Sequence, residues 1–455
     1  MPPSPIIDTN PQPPAPDAGW RRARRNNSLS EVYASIRVPG ADASFWRKLM
    51  AFWGPGLLIA VGYMDPGNWA TDIAGGARYG YTLLSVVLIS NLFAMLLQHL
   101  AAKLGIVTGR DLAQACRDHY SRPVSLVLWV LCEIAIAACD LAEVIGSAIA
   151  LNLLFGLPLA WGVVFTALDV LVVLYFQNKG FRIIESIVAG LIFLIFVCFL
   201  YEIVASNPDW LALSKGLMPR LEIVTNPAML YVAIGILGAT VMPHNLYLHS
   251  SIVQTRDFPK DEPGKRSAIK FATIDSTVAL FLAFFVNAAI LVTAAAAFHG
   301  NGYENVADIT DAHKLLTPVL GAGAASVLFA VALLASGQSS TLTGTLAGQI
   351  VMEGFLDLKL KPWLRRLITR SIAVVPALIV TILYGEKGTG QLLVLSQVIL
   401  SFQLSFAVVP LVLFTSSKAK MGVFVNKPVV QVVAWVISGI IIALNVFLLW
   451  QTFAE

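Results

Sequence analysis

Eleven apolar stretches, each long enough to cross a lipid bilayer as a helix, follow one another along this chain of 455 residues. A membrane-spanning helix needs about 20 mainly apolar residues. The stretches lie at residues 52–80, 82–105, 122–150, 158–177, 183–206, 228–253, 271–298, 314–355, 365–385, 390–415 and 428–451. Only 13% of the residues are charged, whereas soluble domains carry about 25%. A soluble core could not bury this apolar excess, so we predict an all-α integral membrane protein with eleven transmembrane helices.

The first 45 residues differ in composition from the rest of the chain. They are rich in proline, aspartate, serine and arginine and contain no apolar run, which favours a disordered cytoplasmic tail over a signal peptide. We predict that residues 46–455 form a single transmembrane domain. The tail contains a basic cluster of Arg21, Arg22, Arg24 and Arg25, which is either an orientation signal or a contact for anionic lipids. The net charge of +4 gives no indication of a nucleic-acid partner.

Lysine and arginine residues are distributed unequally between the two sides of the predicted domain. Of the 31, the five on one side are Arg78, Lys215, Arg220, Lys314 and Lys387, and the other 26 lie in the tail and in loops on the opposite side. Membrane proteins retain an excess of basic residues on the cytoplasmic side. We therefore predict a multi-pass protein of the inner (plasma) membrane, with its N-terminus in the cytoplasm and its C-terminus outside.

Two of the predicted spans are interrupted in their middle. Span 1 stops at Asp65-Pro66-Gly67-Asn68, and span 6 stops at Met242-Pro243-His244. Proline lacks the N–H that would bond four residues back, so the carbonyl oxygens of Gly62 and Ala239 are left free. One such proline can be a simple kink, but two breaks five spans apart are typical of transporters built from inverted repeats. The halves would be residues 52–206 and 228–415, with 428–451 as an additional helix.

The residues at the two breaks form a set of metal ligands. Asp65 contributes a carboxylate, Asn68 an amide oxygen, Gly62 and Ala239 backbone oxygens, and Met242 a thioether sulfur. An aspartate in mid-bilayer costs about 3 kcal/mol unless it is paired, so a cation partner is expected. Thioether sulfur suits Mn²⁺, Fe²⁺, Co²⁺ or Cd²⁺ better than Mg²⁺ or Ca²⁺. The alternative is that the methionine only fills space in the core.

Polar residues in span 3 indicate a route for protons. Asp140 and Glu143 are three residues apart and share a helix face, and Glu133 lies further along the same span. Two carboxylates buried together bind protons in a coupled manner. Their expected partner is Arg366 in span 9, with Arg365 beside it; the alternative is a static ion-pair network. His244 follows the second break and could also carry protons.

Three motifs together resemble the Nramp family of proton-coupled divalent-metal transporters. They are the two break motifs and the span 8 sequence from Ala335 to Thr345, and the similarity covers nearly everything after residue 50. The resemblance is to bacterial manganese-uptake members. It implies a leucine-transporter-like fold with a 5+5 inverted repeat and broken helices 1 and 6. It also implies metal ligation by Asp65, Asn68, Met242 and the two freed carbonyls.

The resemblance implies one ligand more, because the family's glutamine in span 10 corresponds to Gln397, which is implied to reach the ion in inward-closed states. The first carbonyl position, commonly alanine in the family, is Gly62 here. The expected function is secondary active import of Mn²⁺ and Fe²⁺, and also of Cd²⁺ and Co²⁺, coupled to protons by alternating access. The ions and protons are then substrates, and no cofactor is expected. The methionine argues against the family branch related to magnesium or aluminium transport.

Other functions are less compatible with the sequence. A sodium-coupled symporter of a small organic solute could use the hydroxyls of Ser339, Ser340 and Thr341, but an aspartate and a methionine at the breaks suit it poorly. A channel is disfavoured because broken helices around a central site are typical of alternating access. The chain has no phosphate-binding loop and no nucleophile–base set, so we do not expect an enzyme.

Overall fold

The computed structural model describes residues 19–454 except 25, 41, 168–179, 305, 307, 321–323, 359–361 and 385. The described part is almost entirely helical. The helices are α1 Phe45–Phe52, α2 Pro55–Gly62, α3 Pro66–Tyr79, α4 Leu84–Thr108, α5 Leu112–His119, α6 Arg122–Phe155, α7 Leu159–Ala167, α8 Phe181–Ser206, α9 Trp210–Gly216, α10 Glu222–Thr225, α11 Pro227–Thr240, α12 Pro243–Ile252, α13 Glu262–Phe298, α14 Ile309–Leu320, α15 Ala325–Leu356, α16 Pro362–Tyr384, α17 Glu386–Thr415, α18 Lys418–Met421 and α19 Pro428–Ala454. Two short strands, β1 Ile36–Arg37 and β2 Arg256–Asp257, pair in parallel.

Most predicted spans coincide with these helices in the described residues. The exception is span 8 (314–355), which covers the end of α14 and most of the separate helix α15. Within the described residues, eight helical segments are long and apolar enough to cross a membrane. Of span 4 (158–177), the structure describes α7; residues 168–179 lie outside the described part. The number of eleven membrane-spanning helices therefore stays a prediction.

Both predicted breaks are present. Pro66 and Pro243 are the first residues of new helices, α3 and α12, where a missing N–H leaves no bond unmade. Asp65 begins the first of these helices by accepting the N–H of Asn68 at 2.8 Å, and Met242 precedes the second in an extended conformation. Each interrupted span thus brings the C-terminal end of one half-helix to the N-terminal end of the next.

Buried side chains from other helices fix the positions of the half-helices. Asp275 on α13 accepts the N–H of Gly54 at 3.2 Å and that of Gly56 at 2.6 Å, which anchors the beginning of α2. On α15, the hydroxyl of Ser336 donates to the carbonyl of Met64 at 2.5 Å, at the end of the first half-helix. Spans 7 and 8 therefore hold the first half-helix of span 1, α2, at both of its ends.

The chain before α1 packs on one end of the helix bundle, and we call residues 19–40 the N-terminal strap. Trp20 is 7% exposed and its ring lies 5.6 Å from that of Phe414, while Leu29 is 2% exposed. The strap then pairs as β1 with β2, just after the second broken span. We expected a disordered tail over residues 1–45. Burial of these apolar side chains orders its second half, and residues 1–18 lie outside the described part.

Candidate metal site

Three oxygen atoms from the two broken spans converge on the side-chain amide of Asn68. Its Nδ2 atom lies 2.7 Å from Oδ1 of Asp65, 3.1 Å from the carbonyl oxygen of Ala239 and 3.4 Å from that of Gly62. Asp65 is 0% and Asn68 1% exposed. The amide group therefore occupies the point on which a carboxylate and two freed carbonyls are directed, and its N–H donors balance their negative charge.

The carbonyl oxygens of Gly62 and Ala239 both lie at the C-terminal ends of half-helices, where the helix leaves them without an N–H partner. The N–H of Tyr63 bonds to Ala60 and that of Met64 to Val61, so the first half-helix ends without using the carbonyl of Gly62. The C-terminal ends of α2 and α11 thus each direct a carbonyl that has no helical N–H partner toward the Asn68 amide. Both carbonyls lie at the negative end of a helix dipole. Such a place favours a cation.

Asn287 on α13 is a site residue that the sequence analysis missed. Its Nδ2 atom donates to the carbonyl of Tyr63 at 2.7 Å and to Oδ1 of Asn68 at 3.3 Å. It thereby fixes the orientation of the Asn68 amide, whose oxygen faces away from the three convergent oxygens. The signal that could have revealed it is an asparagine within the apolar stretch 271–298.

A second missed residue, Cys139 on α6, connects the predicted metal ligands with the predicted proton residues. Its sulfur lies 4.0 Å from Oδ2 of Asp65, 3.7 Å from Oε1 of Glu143 and 3.8 Å from Nε2 of His244. It also belongs to a small buried cluster with Met242. The thiol of Cys139 thus lies beside Oδ2 of Asp65, whereas Oδ1 accepts the Asn68 amide. Sequence spacing gave no indication of this, since cysteine is common in apolar helices.

Gln397 on α17 lies between the two breaks. It is 0% exposed, and its side chain contacts the position of Gly67 while its backbone contacts that of Gly238. A Cβ atom at Gly67 would overlap Nε2 of Gln397, so this amide packs directly against the glycine of the first break. Among the described residues, Oε1 of Gln397 has no hydrogen-bond partner. The glutamine thus has an uncommitted oxygen close to the broken helices.

The paired carboxylates of α6 lie against the backbone of span 8. A Cβ atom added to Gly344 would be 3.1 Å from Oδ1 of Asp140 and 3.1 Å from Oε1 of Glu143, so the glycine makes room for both. A cavity of 490 Å³ begins at Asp140 and is also lined by Glu133, whose carboxylate accepts the Trp129 indole N–H at 3.0 Å. The structure therefore aligns Glu143, Asp140 and Glu133 along one helix, with a mainly apolar cavity beside the last two.

Of the remaining predicted proton residues, the structure describes the side chain of His244 but not those of Arg365 and Arg366. His244 is 1% exposed and faces Cys139 through Nε2. The side chains of Arg365 and Arg366 lie outside the described residues; helix α16, which carries them, packs against α6. Their pairing with Asp140 and Glu143 stays a prediction.

The donors at the breaks are of mixed type. Within the described part of the chain, no group of three or more His, Cys, Asp or Glu side chains could hold a metal ion. An ion at the breaks would depend on backbone carbonyls, an amide and sulfur in addition to the single carboxylate. Carboxylate, carbonyl and amide oxygens suit a hard or intermediate cation, and the sulfur extends the range to softer ones.

Comparison with known families identifies the group to which this architecture belongs. The sequence model of the natural resistance-associated macrophage protein-like (Nramp) family matches residues 56–451. The chain belongs to the Nramp family. A divalent metal cation transporter, MntH, of Listeria innocua is 64% identical to this Nramp chain over 433 residues, which cover 95% of the chain and 96% of the relative. An MntH of a Nostoc species is 63% identical over 425 residues, 93% of this chain and 96% of the relative.

Solved structures agree with the family assignment. The Eremococcus coleocola manganese transporter, crystallised with an aromatic bis-isothiourea compound, shares 44% identity and a TM-score of 0.85, covering 93% of this Nramp chain and 90% of that one. Mhp1, a nucleobase-cation-symport-1 family transporter, has a TM-score of 0.58 at 16% identity, covering 87% and 91%. That second similarity concerns the fold alone. The predicted all-helical, leucine-transporter-like membrane fold with broken helices 1 and 6 is confirmed.

Proposed function

We propose that the protein imports divalent transition-metal ions, Mn²⁺ and Fe²⁺ and also Cd²⁺ and Co²⁺, and couples this import to protons by alternating access. The observation that carries the proposal is the convergence of the Asp65 carboxylate and the Ala239 and Gly62 carbonyls on one buried point. A cation at that point would take the place of the Asn68 N–H donors, and the amide would rotate to present its oxygen.

The names of the relatives support the choice of substrate. The Listeria and Nostoc proteins are named divalent metal cation transporters, and the Eremococcus protein is named a manganese transporter. The sulfur of Cys139 beside Asp65, and that of Met242 in the same buried cluster as Cys139, suit ions of intermediate softness and offer little to Mg²⁺ or Ca²⁺. We place the protein in the inner membrane of the cell, with the N-terminus in the cytoplasm and the C-terminus outside.

Proton coupling is proposed from the arrangement of the acidic residues. Asp140, Glu143 and Glu133 all lie on α6. The sulfur of Cys139 lies between the carboxylates of Glu143 and Asp65 and also contacts His244. A cation and a proton repel each other strongly in a low-dielectric site, so separate but adjacent routes allow one to influence the other. Metal bound at Asp65 would thus favour proton release along α6.

Sodium-coupled uptake of an organic solute remains the second candidate, because span 8 hydroxyls meet span 1 carbonyls. Ser336 donates to Met64 at 2.5 Å and Ser340 to Val61 at 3.4 Å, and such oxygen sets can also bind Na⁺. A carboxylate-bearing solute would be repelled by Asp65, which fills the place where its own charge would have to be stabilised. The hydroxyl contacts are accounted for by their role in holding the end of α2.

The deciding experiment is uptake of radioactive Mn²⁺ into proteoliposomes. Purified protein is reconstituted, and uptake is measured with an inward proton gradient, with an inward sodium gradient, and with neither. We expect saturable uptake that the proton gradient stimulates and that excess Fe²⁺, Co²⁺ or Cd²⁺ inhibits, while Ca²⁺ and Mg²⁺ do not. Mn²⁺ uptake that is stimulated by sodium and not by protons would overturn the proton coupling, and uptake equal to that of empty liposomes would refute metal import itself.

A further inference from the structure

A cavity rich in arginine lies under the N-terminal strap, at the end of span 3. It has a volume of 480 Å³ and its lining comes from the strap, from α5, from the first turns of α6 and from the end of α15. We call it the arginine pocket, and its lining residues are Arg22, Arg117, Arg122, Ser125, Leu126, Phe355, Leu356 and Asp357. Three cationic side chains and one anionic side chain therefore share one polar cavity, far in sequence from the metal ligands.

Arg117 is held so that part of its charge faces the pocket. Its side chain is 4% exposed, and its Nε atom donates to Oδ1 of Asp118 at 2.9 Å. The Asp118 carboxylate also accepts Nε of Arg110 at 2.9 Å, so its one charge serves two arginines. Nη1 of Arg117 has no hydrogen-bond partner among the described residues and lies 3.9 Å from Asp357, beyond hydrogen-bond reach. A buried guanidinium with an unused donor is costly, and an anionic oxygen in the pocket would satisfy it.

The first turn of α6 adds to the attraction for an anion. This helix has 34 residues, and Ser121 before it makes no side-chain bond to the exposed N–H groups of its first turn. The N-terminal end of a long helix carries partial positive charge and free N–H donors. Arg122 and Ser125 of that first turn both line the pocket. The helix end, the buried arginine and the two other arginines therefore converge on the same space.

The apolar surroundings indicate where the anion comes from. Val124, Leu126 and Val127 on the same turn of α6 are 44%, 49% and 58% exposed, so they face the lipid chains of the membrane. Leu126 also lines the pocket, which is thus continuous with a lipid-facing surface. A molecule that has a phosphate and acyl chains matches both parts. We propose that the arginine pocket binds the headgroup phosphate of an anionic phospholipid.

Binding at this place would link the strap to the bundle. The backbone N–H groups of Arg21 and Arg22 donate to the carbonyl of Asp118 at 3.0 and 3.2 Å, which holds the strap at the edge of the pocket. A phosphate between Arg22, Arg117 and Arg122 would add charge-assisted bonds between three separate segments. Lipid binding should therefore also hold the strap in place.

The test compares lipid binding to purified protein by native mass spectrometry. Phosphatidylglycerol and phosphatidylcholine with the same acyl chains are titrated into the protein in detergent. The double variant Arg22→Gln/Arg122→Gln removes the two more exposed arginines and leaves Arg117, which also holds Asp118. The matched control is Arg266→Gln, because Arg266 lies in the first turns of α13 and is 60% exposed.

We expect the unchanged protein to retain phosphatidylglycerol more tightly than phosphatidylcholine, and the double variant to lose this preference by about tenfold or more. The control variant should bind as the unchanged protein does. Equal retention of phosphatidylglycerol by the double variant and the control would overturn the proposal. If millimolar inorganic phosphate displaces phosphatidylglycerol and stabilises the purified protein to the same extent, the pocket takes free phosphate. That outcome would overturn the lipid assignment.

Discussion

The amide nitrogen of Asn68 lies 3.1 Å from the carbonyl oxygen of Ala239, so one side chain joins the two broken spans, 171 residues apart. The same nitrogen contacts Asp65 and Gly62 on its own span. The two breaks therefore form a single site, in which the Asn68 amide contacts oxygen atoms of both spans. An incoming cation must replace the amide N–H groups, and this requirement makes the site sensitive to small changes in its ligands.

Replacing the carboxylate is expected to abolish metal binding. Asp65→Ala removes the carboxylate at the convergence point, leaving dipolar donors that cannot compensate a dehydrated divalent ion. We expect no saturable Mn²⁺ uptake and no detectable binding by calorimetry. The control is Asp261→Ala, since Asp261 also begins a helix, accepting the N–H of Gly264 at 3.1 Å, but is exposed. It should cost about 1 kcal/mol of stability and leave uptake intact. Normal uptake by the Asp65 variant would refute the ligand assignment.

Removal of the thioether should change selectivity more than activity. In Met242→Ala the oxygen ligands remain, so we expect Mn²⁺ uptake to persist in part. Cd²⁺ should then inhibit Mn²⁺ uptake less than in the unchanged protein, whereas Ca²⁺ or Mg²⁺ should inhibit it more. Met64→Ala is a suitable comparison because Met64 is 1% exposed and also adjoins a break, but belongs to a different buried cluster. The measurement is competition by each cation against radioactive Mn²⁺. Identical competition series for the unchanged protein and the Met242 variant would mean that this sulfur does not contact the ion.

The thiol of Cys139 should contribute specifically to soft cations. Its sulfur is 4.0 Å from Oδ2 of Asp65, a separation that one ion bound to both atoms at about 2.0–2.5 Å each can span. We expect Cys139→Ser to weaken inhibition of Mn²⁺ uptake by Cd²⁺ severalfold while Mn²⁺ uptake itself changes less than twofold. Cys132→Ser is the control, because Cys132 is equally buried and lies on the same helix. A Cd²⁺ effect shared by both variants would count against a direct contact.

Coupling to protons should depend on the carboxylates of α6 and not on the metal ligands. Asp140→Asn removes one titrating group, so we expect metal binding to persist while metal-driven acidification of the liposome interior falls. Gly344→Ala should act similarly, because its new Cβ would press on both Asp140 and Glu143. A fluorescent pH probe inside proteoliposomes measures this directly. If Asp140→Asn moves metal and protons as the unchanged protein does, the route lies elsewhere, and His244 becomes the leading candidate.

A buried ion pair at the strap end of the bundle is expected to be important for stability. Nη1 of Arg256 lies 2.7 Å from Oε1 of Glu185, and the same guanidinium donates to the carbonyls of Ala51 and Trp53. Glu185→Gln would remove the carboxylate that pairs directly with the buried Arg256, at a cost of about 3 kcal/mol or more. Glu262→Gln breaks an exposed pair with Arg266 and should cost less than about 1 kcal/mol. Thermal unfolding in detergent should show a clear fall in Tm for the first variant only; equal Tm values would contradict the buried-pair argument.

Sequence reasoning was most successful where the physics is local. Apolar length predicts a span because the bilayer requires about 20 apolar residues, and the structure places helices at the predicted positions in its described part. Proline chemistry located both breaks and the two carbonyls left without a helical partner, because the lost bond lies four residues away on the same chain. Sequence reasoning did not predict that the N-terminal strap packs on the helix bundle from Trp20 onward. That packing depends on aromatic and charged partners from distant segments, Phe414 and Arg110.

The sequence by itself determined the membrane class, the order of the helices, the positions of the breaks and the donors on them. Only the tertiary structure decided which other side chains meet there. Cys139 approaches Asp65 across 74 residues, Asn287 approaches Asn68 across 219, and Gly344 admits Asp140 and Glu143. The physical reason is that these contacts depend on which face each helix turns inward. In an apolar span that choice is made by packing against neighbouring helices, because lipid and protein interior are almost equally apolar and the periodicity of the sequence is weak.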